Sequence, residues 1–133
     1  RQPGNDLPPI DRRSINATIT DELNRRIAPL LGTTLTDSFC GFKAYRVSKT
    51  ADLPLTVPGY AFPMQFWVQA VRHCLRICEL PVPLIYLDPT RHFGGMLDDP
   101  EARLSHYLEV FHAELAQPGE DSPCDASRAR CGS

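Results

Sequence analysis

Thr36-Asp-Ser-Phe-Cys-Gly-Phe-Lys-Ala-Tyr-Arg46 is the stretch whose reading decides the fold. Gly41 sits where a backbone turns tightly or is approached closely. Phe42, Ala44 and Val47 are apolar beside the polar Lys43 and Arg46. This pattern predicts a short strand entered through a turn, with Asp37 at its mouth. An Asp in front of a strand has a plain role as a turn or cap residue that accepts backbone N–H bonds. It has a chemical role only where the rest of the chain builds a site around it, and both roles stay open on these residues.

Toward the N-terminus, Arg1 to Pro9 is polar with three prolines and reads as a loop entering a domain from outside, residues 1–10. Asp11 can cap a helix whose apolar positions Ile15, Ile19, Leu23, Ile27 and Leu31 recur every four residues, ending at Pro29 and Gly32. Thr20, Asp21 and Glu22 offer a later start, with carboxylates near the positive end of the helix dipole.

Toward the C-terminus, Ser48 to Leu53 reads as a brief turn or single helical turn, and Pro54 to Gly59 as a loop. Tyr60 then opens a helix with Phe62, Phe66, Gln69, Ala70, His73 and Cys74 on one stripe and Met64, Trp67 and Val71 on another. A helix apolar on two sides packs between layers. Arg76 to Tyr86 predicts a further strand, which Pro81 and Pro83 confine to an edge or an irregular course. Asp88 to Gly95 is a loop with Arg91, His92 and a glycine pair, able to lay N–H groups and a guanidinium against a phosphate or to serve as an ordinary glycine turn. Asp98-Asp99-Pro100 starts a closing helix through Leu104, Leu108, Phe111 and Leu115, and residues 118–133 read as a disordered tail.

The 133 residues suffice for one domain with its own core, and a net charge of −2 supplies no field for a polyanion, so no nucleic acid is expected as partner. No apolar run approaches a membrane span; the longest is the Pro-interrupted Leu80 to Leu87. Five cysteines without close paired spacing argue against a disulfide framework and for a reducing, cytoplasmic compartment. His73, Cys74 and Cys78 lack a second pair at zinc-ligand spacing, which leaves the cysteines as small buried hydrophobes, His73 as a core or helix-end histidine, and no metal ligands in this chain.

Five pieces in order carry a family resemblance: Asn24, thirteen residues before Asp37; Asp37 to Arg46; Gly59-Tyr60-Ala61-Phe62; Glu79-Leu80-Pro81-Val82-Pro83; and Arg91 with Gly94. Together they resemble the second half of family 2 glycosyltransferases, nearest to the polyprenyl-phosphate (dolichyl-phosphate) mannosyl- and glucosyltransferases. The resemblance implies an α/β fold: a partial GT-A domain, Rossmann-like with a mixed sheet, of which residues 11–117 form the C-terminal, acceptor-side half with a helix after the last strand. The chain would then be a piece of something longer, inactive alone. The nucleotide-sugar donor (UDP- or GDP-sugar) and a divalent metal (Mg or Mn) would be held mainly by a preceding half.

On this resemblance Asp37 is the catalytic base or positioning carboxylate, Arg91 and His92 face the donor diphosphate, and Phe39, Cys40, Gly41, Gln65 and Trp67 line an acceptor pocket. The acceptor would be a lipid phosphate or another group, with peripheral contact to the cytoplasmic face of a membrane. The chain departs from the pattern in three places. The Arg loop reads Arg91-His-Phe-Gly-Gly-Met-Leu97 and lacks the relatives' Ser and Lys, Gln65 stands for a Glu, and Asp21 stands for an Arg. The altered Arg loop and Gln65 favour the alternative of a non-catalytic α/β binding or interaction module, the intact Asp37 to Arg46 stretch does not, and Asp21 bears on the lipid-phosphate acceptor.

Overall fold

The four-residue apolar spacing that opens the chain folds as one long helix. In the computed structural model, which describes residues 12–31, 35–83, 85 and 95–119, helix α1 spans Arg12–Leu31, so the earlier of the two expected starts is the one used. Ile19, Leu23 and Ile27 turn one face inward. On the outer surface Glu22 pairs with Arg26 at 2.8 Å and with Arg25, neighbours one helical turn away. Pro29 lies inside the last turn, where its missing N–H weakens the ladder just before the helix stops.

Helix α2 is a single turn, Val47–Thr50. A 3-10 turn at Gly59–Ala61 follows, with Gly59 at φ +73°, a left-handed conformation that suits a residue without Cβ. It delivers the chain into α3, Phe62–Arg72, in which every residue from Met64 to Ala70 is buried. A second 3-10 turn, Gly95–Asp98, leads into α4, Pro100–Ala116. The predicted start of α4 is realised: the Asp99 side chain accepts from the Ala102 N–H at 3.0 Å, with Pro100 in the first turn.

Helix α3 packs against α4, and α1 packs on both. The core is Leu23, Ile27, Met64, Val68, Trp67, Tyr107 and Phe111 with their neighbours. The buried stripe of α4 is Arg103, Tyr107 and Phe111, rotated from the expected one; Leu104 and Leu108 flank it and Leu115 is exposed. Arg72 closes the far end of α4, donating from Nη2 to the carbonyls of Leu115 at 3.1 Å and Gln117 at 2.7 Å. A cation there meets the negative end of the helix dipole.

The α/β expectation, with its Rossmann-like mixed sheet, is corrected. The described residues are helical and contain no strand. Residues 42–46 and 75–83 run without regular structure and pair with no neighbour in a ladder. The physical reason is that alternation only prepares a strand, and a ladder needs a second backbone at hydrogen-bonding distance. An open groove lies between the two segments, Pro81 and Pro83 lack N–H donors, and Val47 leaves the extended course to start α2.

The cysteine expectation is corrected as well. Cys74 and Cys78 are each disulfide-bonded, whereas Cys40 is a free thiol. Neither Cys74 nor Cys78 is fully buried, so they are not small core hydrophobes. Residues 1–11, the Arg91–His92 loop and the tail from residue 120 lie outside the described residues.

Candidate functional site

Asp37 lies on a loop pinned from three sides. Asn24, buried on α1, uses both ends of its amide: Nδ2 donates to the Thr36 carbonyl at 2.9 Å and Oδ1 accepts from the Ser38 N–H at 3.0 Å. Trp67 on α3 donates from Nε1 to the Ser38 carbonyl at 3.0 Å. The Glu79 carboxylate, arriving on the extended segment after α3, accepts from the Thr36 N–H at 2.9 and 3.1 Å, from the Thr36 hydroxyl at 3.2 Å and from the Asp37 N–H at 3.3 Å. An acceptor that carries full charge makes these bonds stronger than neutral ones. The Asp37 side chain is exposed, and its Oδ1 accepts from the Phe39 N–H at 3.0 Å, the geometry of an Asx turn. Ser38 Oγ is fully buried with no hydrogen-bond partner among the described residues.

The loop forms one wall of an open groove of about 1120 Å³, bounded by the chain from Leu35 to Thr50 and by the segment from His73 to Val82. Phe66 and Trp67 of α3 line it between them. Four cationic side chains, Lys43, Arg46, Lys49 and Arg76, border this space, against the carboxylates of Asp37 and Glu79. Phe42, Leu75, Ile77, Leu80 and Val82 add an apolar lining, and Phe42 and Leu80 are each 82 % exposed. The groove therefore presents positive charge beside uncovered hydrocarbon, a surface suited to an amphipathic anion.

Lys43 is the most constrained of the cations. Its Nζ lies 5.8 Å from the Trp67 ring centroid and donates to the Cys40 carbonyl. Burial lowers its pKa from the ordinary 10.5, while the nearby Cys40 and Asp37 pull it partly back up. Tyr45 meets the edge of Phe66 at 5.2 Å, and burial raises its pKa. Sidedness explains why these residues act together: α3 supplies the aromatic surface, and the chain after the Asp37 loop lays Lys43 and Tyr45 on it.

Of the residues expected at the site, Asp37, Cys40 and Trp67 border the groove. Phe39 instead stacks on Tyr107 of α4 at 4.8 Å, and Gly41 is exposed in the turn beside it. Gln65 works as a structural clasp. Its Oε1 accepts from the N–H groups of Thr56 at 2.7 Å and Val57 at 2.8 Å, and its Nε2 donates to Glu114 Oε2 at 3.1 Å. Gln69 donates to the other oxygen of Glu114. A Gln does here what a Glu cannot, because it donates and accepts at once. Arg91 and His92 lie outside the described residues. The sequence reading missed the roles of Lys49, Arg76 and Glu79, whose only local signal was charge beside a strand-like run.

Among the described residues no group of three His, Cys, Asp or Glu side chains is placed to hold a metal ion. The Glu79 carboxylate beside Asp37 is engaged by the Thr36 and Asp37 N–H groups, and the resemblance expects the ligands of its divalent cation mainly outside this chain. The geometry defines a helical domain with an open, cation-bordered amphipathic groove. No family model, curated protein or solved structure matches the chain. No described helix is long and apolar enough to cross a membrane.

Proposed function

We propose that the chain is the acceptor-side segment of a family 2 glycosyltransferase, acting on a nucleotide-sugar donor and a lipid-phosphate acceptor. The observation that carries this reading is the groove, which sets the Asp37 carboxylate beside four cationic side chains and exposed apolar ones. Lys43, Arg46, Lys49 and Arg76 attract the phosphate, and Phe42, Leu80 and Val82 offer hydrocarbon contact to a lipid chain or to a bilayer surface. The acceptor oxygen forms the new bond to the anomeric carbon as the nucleoside diphosphate leaves with the electrons of the broken bond. With a hydroxyl acceptor Asp37 takes the proton; with an acceptor already ionised it only orients. The resemblance assigns the donor site and its metal to a half that precedes residue 1. A cytoplasmic location belongs to this reading, and the disulfide-bonded Cys74 and Cys78 weigh against a permanently reducing one.

The test is Asp37→Asn in the full-length protein, assayed with UDP- and GDP-sugars against polyprenyl phosphate in vesicles and, separately, against a hydroxyl acceptor. Asn keeps an oxygen for the Phe39 N–H, so the urea midpoint stays put, while turnover with a hydroxyl acceptor falls about a hundredfold or more. Absence of transfer by the unsubstituted full-length protein across that panel would defeat the reading. A second reading, a non-catalytic binding module, is favoured by the use of Asp37 Oδ1 in its own turn and of Gln65 as a clasp. It expects vesicle binding without turnover.

A further inference from the structure

The chain after the Asp37 loop keeps the alternation of a strand without having a partner strand. Lys43 and Tyr45 turn to α3, with Nζ 5.8 Å from the Trp67 ring centroid and the Tyr45 ring meeting the edge of Phe66 at 5.2 Å. Phe42 and Ala44 are exposed, and Arg46 is extended at φ −79°, ψ 107°. Two anchors on neighbouring α3 residues thus fix the course of the segment. Its backbone is nonetheless unpaired. Among the described residues no N–H from Phe42 to Arg46 donates a hydrogen bond, and the carbonyls of Lys43, Ala44 and Tyr45 accept none. Bare edges of this kind are what a further strand pairs with. The charged side chains of the rim are unpaired as well. Arg46, Lys49 and Arg76 are exposed at the groove and meet no carboxylate at ion-pair distance among the described residues. Of the two carboxylates there, Glu79 is taken by the Thr36 and Asp37 N–H groups and Asp37 by the Phe39 N–H.

Donors and acceptors together decide what fits such an edge. A phosphate, free or in a lipid headgroup, accepts from the cations and the N–H groups and offers nothing to the three carbonyls. A second peptide backbone supplies both partners, at alternate residues along the edge. We infer that segment 42–46 is a docking edge for an extended peptide in which acidic and apolar side chains alternate. The backbone of the peptide pairs with the edge. The period of two sends its apolar side chains to the groove floor at Phe66 and Trp67 and its carboxylates to the rim at Arg46, Lys49 and Arg76. The facing segment cannot serve as a second regular edge, because Pro81 and Pro83 lack N–H donors. Docking stands on these observations alone. Its consequence, that the peptide competes with a lipid phosphate for the same cations, rests on the acceptor-side reading.

The experiment needs no turnover. The probe is the peptide Glu-Val-Glu-Val-Glu-Val-Glu with both termini blocked, titrated into the whole chain, with amide hydrogen exchange followed by NMR. At saturation, exchange at alternate residues among 42–46 should slow about tenfold, while Ser38, already bonded to Asn24, keeps its rate. A version with Gln in place of each Glu should bind about tenfold more weakly at low salt, because it keeps the backbone and loses the charge. Arg46→Gln and Arg76→Gln should each weaken binding of the Glu peptide about threefold, the scale of an exposed ion pair. Neither side chain has a partner among the described residues to lose, so both variants should fold as the native chain does. Binding that leaves exchange at 42–46 unchanged overturns the inference, since charge alone then holds the peptide. No binding at millimolar peptide overturns it too, and if polyprenyl-phosphate vesicles bind under the same conditions the groove is a lipid site. Slowed exchange at the edge together with a failed transferase assay upholds the docking edge and removes only the competition with a lipid phosphate.

Discussion

The helical core and the groove draw on similar side chains and treat them in opposite ways. In α1 and α3, Leu23, Met64 and Val68 are sealed from solvent. Along the groove, Phe42 and Leu80 stand 82 % exposed and Val82 49 % exposed. The difference lies in the backbone. A helix satisfies its own N–H and C=O groups, so its apolar face needs only another face to lie on. An extended segment has to find a second backbone before its alternation buries anything. The groove segments find side-chain anchors instead, Glu79 and Asn24 for the Asp37 loop and Trp67 for its carbonyl. Such anchoring leaves one face open, which makes this region the available place for a ligand.

Asn24 is where the two regimes meet, and removing it should have the largest effect. Asn24→Ala withdraws two hydrogen bonds at once and leaves the buried Ser38 N–H without its acceptor. The expected cost is about 3 kcal/mol in urea unfolding, since an unsatisfied buried group carries its own desolvation penalty. A cost below about 0.5 kcal/mol, the range of ordinary surface substitutions, would mean that the loop is held from the groove side alone.

How much of this was legible follows the same division. The periodicity of α1, the two apolar faces of α3 and the Asp99-Pro100 start of α4 are local signals, and each was readable. Residues 42–46 and 76–86 carried a strand signal just as plain, yet no ladder forms among the described residues, because pairing depends on what lies alongside. Gln65, read as a pocket residue, turned out to tie the loop at Thr56 to α4 at Glu114. Glu79 reaches a loop more than forty positions earlier, a contact that spacing cannot announce. Cys74 and Cys78 misled for a related reason: an odd cysteine count says nothing about which thiols meet. Asp37, Cys40 and Trp67, singled out in the sequence, border the groove, whereas nothing in the sequence pointed to the cations gathered around them.

Lys43 sharpens the comparison through pH. Its folded-state pKa lies below the ordinary 10.5 because burial disfavours the charge. Below the folded pKa both states are protonated and the cost of burying the charge is fully present. Between the folded value and 10.5 the unfolded chain holds a proton that the folded one has released, so stability rises as pH rises through that window. Tyr45 and Tyr107 act in the other direction above pH 10.0, because their raised pKa values keep the proton on the folded state. Comparing the native chain with Lys43→Met cancels the tyrosines. The native chain should gain on the variant as pH climbs toward 10.5. A difference that stays flat with pH would show Lys43 to be solvated like any surface lysine, and the groove wall to be looser than the helices behind it.

The smallest effect is expected at Phe42, and it is the strictest check on the contrast. In a sheet or a closed interface a Phe is covered, and cutting it to a small polar residue costs about 3 kcal/mol or more. With 82 % of its surface exposed, Phe42 has little burial to lose, and Phe42→Ser should move the urea midpoint by less than about 0.5 kcal/mol equivalent. The same substitution should weaken binding of polyprenyl-phosphate vesicles, because it removes hydrocarbon from the groove without touching a cation. A large loss of stability would mean that something in solution covers this face, and the division between a closed core and an open groove would fail at its most exposed residue. A small loss of stability with undiminished vesicle binding would keep the division and move the lipid contact to the opposite wall, at Leu80 and Val82.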